Sequence, residues 1–355
     1  AKRPYNMKFS SKVDLFSFGA AKKWVLLADF FDPTLMRNKI ALDLAELLGL
    51  DATMGHERVE VYVDGSYRGM YLLTEKIEAD ENRVNIKPKK GDFLIEMDST
   101  SRTEAGTAYI TTPVIKRYFK LHEPEEPTEA QTAAILEVMR NFETVIQSGT
   151  WEEVKEVIDV ESFVSFYVLN ELLKTIDFGG LSVYFYCKDG KMYAGPSWDY
   201  DLSTGNPSTA YYGTSNPAPE GLFAGVRHYF SYLSKFTDFQ LAVSKRISEL
   251  WSEDIMSYIF DDIDADVEFY AEAIARNNTT WSPSVQRSVY QMIPKATYPD
   301  NVDWLKTWLV SRDIWMTDYF LARTYISSDT FPDSALREYV KTFDTDSDSF
   351  LSTSE

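Results

Sequence analysis

Hydrophobic and polar positions divide the chain into a strand-rich first part and a mainly helical second part. Period-two alternation predicts short strands at residues 5–9 and 24–28, a hairpin at 59–63 and 69–73, and further strands near 83–87, 92–97 and 117–121. In the hairpin, valines at alternate positions precede the turn pair Asp64-Gly65, which predicts strands with one buried face.

Apolar residues at helical spacing predict the remaining elements. Asp32, as N-cap before Pro33, begins a helix over about 34–48, and Thr128 with Gln131 forms a capping box for a helix to about 148. Further helices are predicted near 151–174, 220–234, 237–260, 263–277, 284–293 and 300–325. The fold class is therefore α+β. We place an N-terminal part at about 1–148 and a C-terminal part at about 149–325, with a ligand cleft between them.

Asp177 and the run Trp198-Asp199-Tyr200-Asp201 flank a second predicted hairpin. Its strands cover about 182–187 and 191–194 around the turn pair Asp189-Gly190, so both flanks return to one end. Asp177 should therefore lie near Asp199 and Asp201, whereas Asp189 is interpreted as a turn former. Because clustered carboxylates repel one another, such a cluster usually holds a cation or performs catalysis. One Asp to take a proton and others to hold Mg²⁺ is the pattern of phosphoryl transfer.

Composition narrows the possible partners. The chain has 355 residues, 44% of them hydrophobic, and a formal net charge of −19. This hydrophobic content is sufficient for a large core. Because nucleic-acid binding depends on counterion release by Lys and Arg, nucleic acids and anionic membranes are poor partners for so acidic a chain. No apolar run approaches the roughly 18 residues of a membrane span, so no span is predicted.

The C-terminal segment, residues 331–355, is predicted to be a separate unit. Its sequence DTDSDSFLSTSE, residues 344–355, has the ligand spacing of an EF-hand calcium loop. The ligand positions are Asp344, Asp346, Asp348, Phe350, Ser352 and Glu355. Ser349 stands where the loop usually has Gly, and residues 331–343 are predicted as the incoming helix. We expect Ca²⁺ at this partial EF-hand-like segment; the alternative is an acidic, flexible tail.

Three stretches of the sequence resemble one protein family. They are KWVLLADFFDPTLMRN (residues 23–38), VYVDGSYRGMYLLTEKI (61–77) and GPSWDYDLSTG (195–205). In this order they closely resemble the CotH family, spore coat protein H-like proteins known as atypical protein kinases. The resemblance spans about residues 1–325. It implies a two-lobed, atypical kinase-like fold and transfer of a phosphoryl group from ATP, with Mg²⁺ or Mn²⁺, to Ser or Thr of a protein.

The family pattern implies roles for the three aspartates. Asp177 matches the position expected of the catalytic Asp, which orients or deprotonates the acceptor hydroxyl. Asp199 matches the Asp that holds Mg²⁺ on the phosphates. Asp201 is the candidate second metal ligand.

The nucleotide-binding lysine has two candidates. A kinase pairs a strand Lys with a Glu on the following helix. Lys120, on the strand before the capped helix, fits that pattern, with Glu137 as its partner. Lys76, beside Glu75 in the second family-like stretch, is the alternative.

Two further residues are candidates for the nucleotide site. Arg37 lies in the first family-like stretch and is expected to contact phosphate or to form a surface ion pair. Glu96 is a lone Glu on an apolar strand, where burial is costly unless the carboxylate has a partner or a function. The family usually has an Arg-Gly-Asn-Ser-Thr-Trp-like stretch before the segment that here reads Lys2-Arg3-Pro4-Tyr5. We expect weak ATP binding if that stretch covers the nucleotide.

The favoured hypothesis is a secreted bacterial CotH-type kinase. Family members occur in secreted, multimodular proteins, some of them in cellulosomes, so cellulosome or cell-surface components are possible partners. One alternative is a catalytically inactive structural or binding module with the same fold. Another is a polysaccharide hydrolase that uses two carboxylates about 5–10 Å apart. The hydrolase needs an open, aromatic-lined groove, whereas the kinase needs an adenine slot beside the acids.

Overall fold

The computed structural model describes residues 2–325, 330, 332–344, 350 and 351. The fold is α+β, with a β-rich N-terminal part and a helical C-terminal part. The strands are β1 (Tyr5–Asp14), β2 (Ala20–Leu27), β3 (His56–Val63), β4 (Ser66–Glu75), β5 (Phe93–Met97), β6 (Tyr109–Thr111), β7 (Tyr118–Glu123), β8 (Val183–Lys188), β9 (Lys191–Ala194), β10 (Thr324–Tyr325) and β11 (Phe350–Leu351). The helices are α1 (Arg37–Leu47), α2 (Glu129–Ser148), α3 (Trp151–Val157), α4 (Val160–Leu173), α5 (Thr209–Tyr212), α6 (Phe230–Leu233), α7 (Thr237–Ser252), α8 (Ile255–Phe269), α9 (Ala271–Thr280), α10 (Tyr298–Met316) and α11 (Ser334–Val340).

The longer strands form two antiparallel sheets. One has the order β1-β2-β4-β3, and the other has the order β6-β7-β5-β8-β9. Both predicted hairpins are present, and Asp64 and Asp189 each adopt a φ of +50°, as turns before Gly require. In the second sheet β5 pairs with β8 from Phe93↔Cys187 to Met97↔Val183. This sheet therefore combines strands from both sides of the boundary predicted near residue 148.

Helix α4 lies at the centre of the largest core. Every residue from Ser162 to Leu173 is buried, which explains why this helix is apolar on all faces. The carboxylate of Asp159 caps its first turn by accepting the Ser162 N–H at 2.8 Å. The helix ends at Leu173 because Lys174 adopts a left-handed conformation with φ of +49°. The chain therefore leaves α4 abruptly, toward the segment that carries Asp177.

A buried ion pair fixes the irregular segment before α6 against α4. Glu171 and Arg312 lie 2.6 Å apart, and both side chains are 0% exposed. Glu171 also accepts the backbone N–H groups of Phe223 and Ala224, each at 2.7 Å. Lys174 donates to two carbonyl groups of the same segment at 2.6 and 2.7 Å. Because backbone groups of this segment are paired in these bonds, much of it does not form the helix predicted over 220–234.

Two other predicted elements are absent. The strand predicted near 83–87 is only an isolated bridge between Ala79 and Val84. The segment predicted as a helix at 284–293 is irregular, because its backbone pairs elsewhere: Tyr290 O accepts from Ser208 N–H at 2.9 Å and Met292 N–H donates to Asn206 O at 2.6 Å. Within the described parts of the chain, no helix is both long and apolar enough to cross a membrane.

Candidate functional site

The fold brings Asp177, Asp199 and Asp201 to one end of the β8–β9 hairpin. Asp177 lies in a 3₁₀ turn that follows α4, and the other two residues follow β9. Two backbone hydrogen bonds, of 3.0 and 2.7 Å, join residues 173–176 to residues 202–204. These bonds hold the flanks of the hairpin together, so the convergence predicted from the hairpin is present.

The three carboxylates perturb one another's protonation. Burial, followed by the charge of Asp199, raises the pKa of Asp177 to about 7. Burial, with a contribution from Glu96, raises the pKa of Asp199. Burial followed by the charge of Asp199 raises the pKa of Asp201 well above its ordinary value. Arg102 lowers the pKa of Asp177 and Asp199 but does not cancel these effects. The three residues are half-buried, so a ligand can reach them.

Asp199 is held in a conformation that is unusual for a residue other than Gly. Its φ is +66°, in the left-handed region. Ser182 Oγ donates to Asp199 Oδ2 at 3.2 Å, and Thr175 Oγ1 donates to the Asp199 carbonyl at 3.4 Å. The hydroxyl of Ser182 engages one carboxylate oxygen, which leaves the other oxygen for a cation.

The aspartates offer a partial set of ligands for a divalent metal ion such as Mg²⁺ or Mn²⁺. Among the described residues, no group of three His, Cys, Asp or Glu side chains is arranged to hold a metal ion alone. Mg²⁺ in nucleotide sites is usually held by one or two carboxylates together with phosphate oxygens and water. Asp199 and Asp201 offer hard oxygen donors of this kind at the wall of a cavity.

The cavity beside Asp199 and Asp201 has a volume of about 600 Å³. Many of its lining residues are apolar or aromatic: Pro4, Val25, Leu27, Ala28, Phe30, Phe31, Ile77, Tyr184 and Trp198. The lining also includes the basic residues Lys2, Arg3, Lys76 and His122 and a third acidic residue, Asp29. A cavity lined by apolar, basic and acidic residues suits a flat heteroaromatic ring that carries phosphate groups.

The first turn of α1 supports this wall. The helix begins at Arg37 rather than near residue 34, and Asp32 accepts two backbone N–H groups of its first turn at 2.9 and 2.8 Å. Asn38 donates to Asp29 Oδ1 at 2.8 Å and accepts the Tyr200 N–H at 2.7 Å. Asn38 therefore connects two segments of the wall, one before α1 and one between Asp199 and Asp201.

Arg37 does not face the cavity as a phosphate ligand. Its buried guanidinium pairs with Asp32 at 2.5 Å. Nε donates to Ser203 O at 3.1 Å and to Thr204 Oγ1 at 2.8 Å, and the second terminal nitrogen donates to Thr204 O at 3.2 Å. Nε and one terminal nitrogen thus join α1 to the segment after Asp201, and the other terminal nitrogen binds residues before α1. The expected phosphate contact and the expected surface ion pair are both replaced by a structural role.

The predicted pair of Lys120 and Glu137 does not form. The ammonium of Lys120 lies 2.7 Å from Glu104. Glu137 is on the exposed face of α2, where it pairs with Arg140 at 3.2 Å. Helix α2 turns its apolar stripe toward the core, so Glu137 points to solvent.

Lys76 lies on the cavity wall without its expected neighbour. Glu75 points to the opposite face of the strand, where it pairs with Arg83 at 3.2 Å. No described residue pairs with the ammonium of Lys76, and Lys76 lines the same cavity as Asp199 and Asp201. Lys76 is therefore better placed than Lys120 to meet a ligand in this cavity.

Glu96 has a partner at the edge of the site. Its carboxylate lies 2.6 Å from Nε2 of His122, which lines the cavity from β7. The hydroxyl of Tyr184 also bonds to Glu96, from the neighbouring strand β8. Glu96 thus supports two lining residues, His122 and Tyr184, and its charge contributes to the raised pKa of Asp199.

Four residues of the site could not be assigned from the sequence. They are Asp29, Asn38, His122 and Trp198. For three of them, the position in the sequence was an indication of a role in the site: Asp29 and Asn38 lie in the first family-like stretch, and Trp198 lies in the third. His122 carried no signal, because its contact with Glu96 depends on strand register.

The calcium-loop prediction remains a prediction. Asp344 and Phe350 are within the described residues, whereas Asp346, Asp348, Ser352 and Glu355 lie outside them. Residues Ser334–Val340 form α11 within the predicted incoming helix. Phe350 pairs with Tyr325 between β11 and β10, and their rings lie 5.2 Å apart.

The model of the family described as CotH kinase protein matches residues 1–316. No curated protein matches the chain.

Proposed function

Because the chain belongs to the CotH kinase protein family, we propose that it transfers the γ-phosphoryl group of ATP to a Ser or Thr hydroxyl of a protein. One observation carries the proposal: Asp177 belongs to the same acid cluster as Asp199 and Asp201, and the latter two line a cavity that also has apolar, aromatic and basic residues in its wall. The apolar and aromatic residues suit an adenine ring and the basic residues suit phosphate groups, which favours phosphoryl transfer over polysaccharide hydrolysis.

Each carboxylate has a distinct task in this proposal. Bound ATP with Mg²⁺ or Mn²⁺ supplies the phosphoryl group and neutralises its charge. Asp199 holds the metal ion on the phosphates, and Asp201 is its second ligand. Asp177 orients the acceptor hydroxyl and receives its proton. Its pKa, raised to about 7, lies close to neutral pH, as general base catalysis favours.

The cavity wall supplies the nucleotide contacts. Lys76 is the candidate for contact with the phosphates, since it lines the cavity and no described residue pairs with its ammonium. Trp198 and Tyr184 provide flat surfaces against which a base can stack. Lys120, Glu137 and Arg37 have no such role in the proposal, because their side chains are engaged elsewhere.

The wider setting is also part of the proposal. We place the protein outside the cell, with a protein substrate that is extracellular or on the cell surface. Cellulosome components are candidate partners, and Ca²⁺ would occupy the segment 344–355. Equilibrium dialysis with ⁴⁵Ca²⁺, on the full chain and on an Asp344→Ala variant, tests the calcium site.

Calorimetric titration of ATP in the presence of Mg²⁺ or Mn²⁺ tests the nucleotide site. We expect metal-dependent binding that is lost in Asp199→Asn. Asn is the better substitution than Ala, because Asn tolerates the left-handed backbone at this position. Asp303→Asn, at an exposed position of α10, is the matched control and should bind ATP as the wild type does.

Two results would contradict the proposal. Binding that persists in Asp199→Asn would remove this carboxylate from the metal site. No binding with either metal ion, in a protein that remains folded by circular dichroism, would favour a structural or binding module with the same fold.

A further inference from the structure

A hydroxyl-rich loop leaves the edge of the candidate site between β5 and β6. Residues 98–107 read Asp-Ser-Thr-Ser-Arg-Thr-Glu-Ala-Gly-Thr, and Thr100–Arg102 form a single 3₁₀ turn. The side chains of Thr100, Ser101, Arg102 and Thr103 are exposed. The loop thus presents several possible phosphate acceptors to solvent within one short segment.

Strand register places the start of this loop beside Asp199. The last pair between β5 and β8 is Met97 with Val183. The next residues, Asp98 and Ser182, therefore leave the sheet side by side. The hydroxyl of Ser182 donates to Asp199 Oδ2 at 3.2 Å. The loop therefore begins beside a residue that contacts the proposed metal ligand.

The charge of Arg102 gives independent support for this position. Arg102 acts on both Asp177 and Asp199, and it lowers the pKa of each. No described residue forms a hydrogen bond or ion pair with its guanidinium. The exposed Arg102 therefore lies close enough for its charge to act on the acid cluster, and its guanidinium is available to a phosphate.

We infer that the protein phosphorylates its own loop, in cis, on Thr100 or Ser101. The inference rests on the proposed function, because it uses the same nucleotide and the same carboxylates. The oxygen of the acceptor hydroxyl forms a bond to the γ-phosphorus of ATP, and the bond from that phosphorus to the β–γ bridging oxygen breaks. The hydroxyl proton passes to Asp177, and ADP leaves with the bridging oxygen.

Hydrogen bonding distinguishes the acceptors within the loop. Thr103 Oγ1 is held between the Tyr118 hydroxyl at 2.8 Å and the Thr100 carbonyl at 3.0 Å. Ser99 is half-buried and accepts the Ser101 N–H as the cap of the turn. Thr100 and Ser101 are more exposed, and Ser101 Oγ lies 2.9 Å from Ser99 Oγ. Both stand next to Arg102, which can pair with the new phosphate. These two are therefore the favoured acceptors.

Mass spectrometry after incubation with ATP and Mg²⁺ or Mn²⁺ tests the inference. Trypsin cuts after Lys90, Arg102 and Lys116, so the acceptors separate into peptides 91–102 and 103–116. We expect phosphate on peptide 91–102, at a rate per molecule that does not change when the protein is diluted. The Thr100→Ala/Ser101→Ala double variant should lose this label yet bind ATP unchanged. Thr103→Ala is the matched control and should retain the label.

The other outcomes distinguish a failure of the loop assignment from a failure of the proposed kinase activity. Label on peptide 103–116 or elsewhere, or a rate per molecule that rises with protein concentration, would overturn the assignment in cis. Phosphorylation of added casein without label on the chain would overturn the inference and leave the proposed function standing. Absence of metal-dependent ATP binding would overturn both.

Discussion

Asp177→Asn should make the ligand-free protein more stable at neutral pH. The wild-type carboxyl has its pKa raised from 3.8 to about 7, first by burial and then by the charge of Asp199. Asn keeps the shape of the side chain and removes its charge. The folded protein therefore no longer has to hold an ionised group beside Asp199 in a half-buried site.

The size and the sign of the effect follow from this pKa. The difference between 3.8 and about 7 corresponds to at most about 4 kcal/mol at ~1.4 kcal/mol per pKa unit. Solvent screening of a half-buried group reduces the expected gain to about 1–2 kcal/mol. Because the folded state holds this proton more tightly than the unfolded state, wild-type stability falls as pH rises from 3.8 to about 7 and then levels off. The advantage of the Asn variant should therefore grow across the same range.

Urea denaturation of both proteins between pH 5 and pH 8, without nucleotide or divalent metal ions, measures this effect. Titrations at other sites are common to the two proteins, so they largely cancel in the difference between the free energies of unfolding. Asp303→Asn should differ from wild type by less than about 0.5 kcal/mol at each pH, as expected for an exposed position. A gain that does not change with pH, or a loss at pH 8, would refute the electrostatic account of Asp177.

Three further predictions test the structure. Lys76→Met should weaken ATP binding about tenfold, or about 1.4 kcal/mol, whereas Lys120→Met, whose ammonium pairs with Glu104, should change it less than twofold; calorimetry on both measures the contrast. Glu171→Ala should cost about 3–5 kcal/mol in urea denaturation, because it leaves a buried guanidinium and backbone N–H groups without their carboxylate. Gly205→Ala should lower the melting temperature by several degrees, since its Cβ would lie 2.3 Å from Cδ1 of Trp308 and φ is +73°.

Local signals predicted the hairpins and the convergence of the acids. The pairs Asp64-Gly65 and Asp189-Gly190 specify tight turns through backbone preference alone, and both turns formed. Because a hairpin fixes where its flanks lie, Asp177 could be placed near Asp199 from the sequence. The family resemblance was also confirmed over residues 1–316.

Long-range contacts could not be predicted in the same way. Lys120 matched the general pattern of a kinase lysine, but its partner depends on how the 98–107 loop folds back onto β7. Arg37 is charged, yet its bonds to Asp32 and to residues 203–204 allow full burial. The helix predicted at 284–293 had helical spacing, but pairing with residues 206–208 outweighed it. In each case the deciding partner is distant in sequence, apart from Asp32.

The ladder between β5 and β8 also limits how the protein can admit a ligand. Rotating the N-terminal part against the C-terminal part as rigid bodies would require breaking this pairing from Phe93↔Cys187 to Met97↔Val183. A hinge of the kind that opens and closes many enzymes is therefore obstructed in the middle of the molecule. Entry to the cavity must instead depend on local opening of the surface segments at its rim, which exchange of their amide hydrogens would measure.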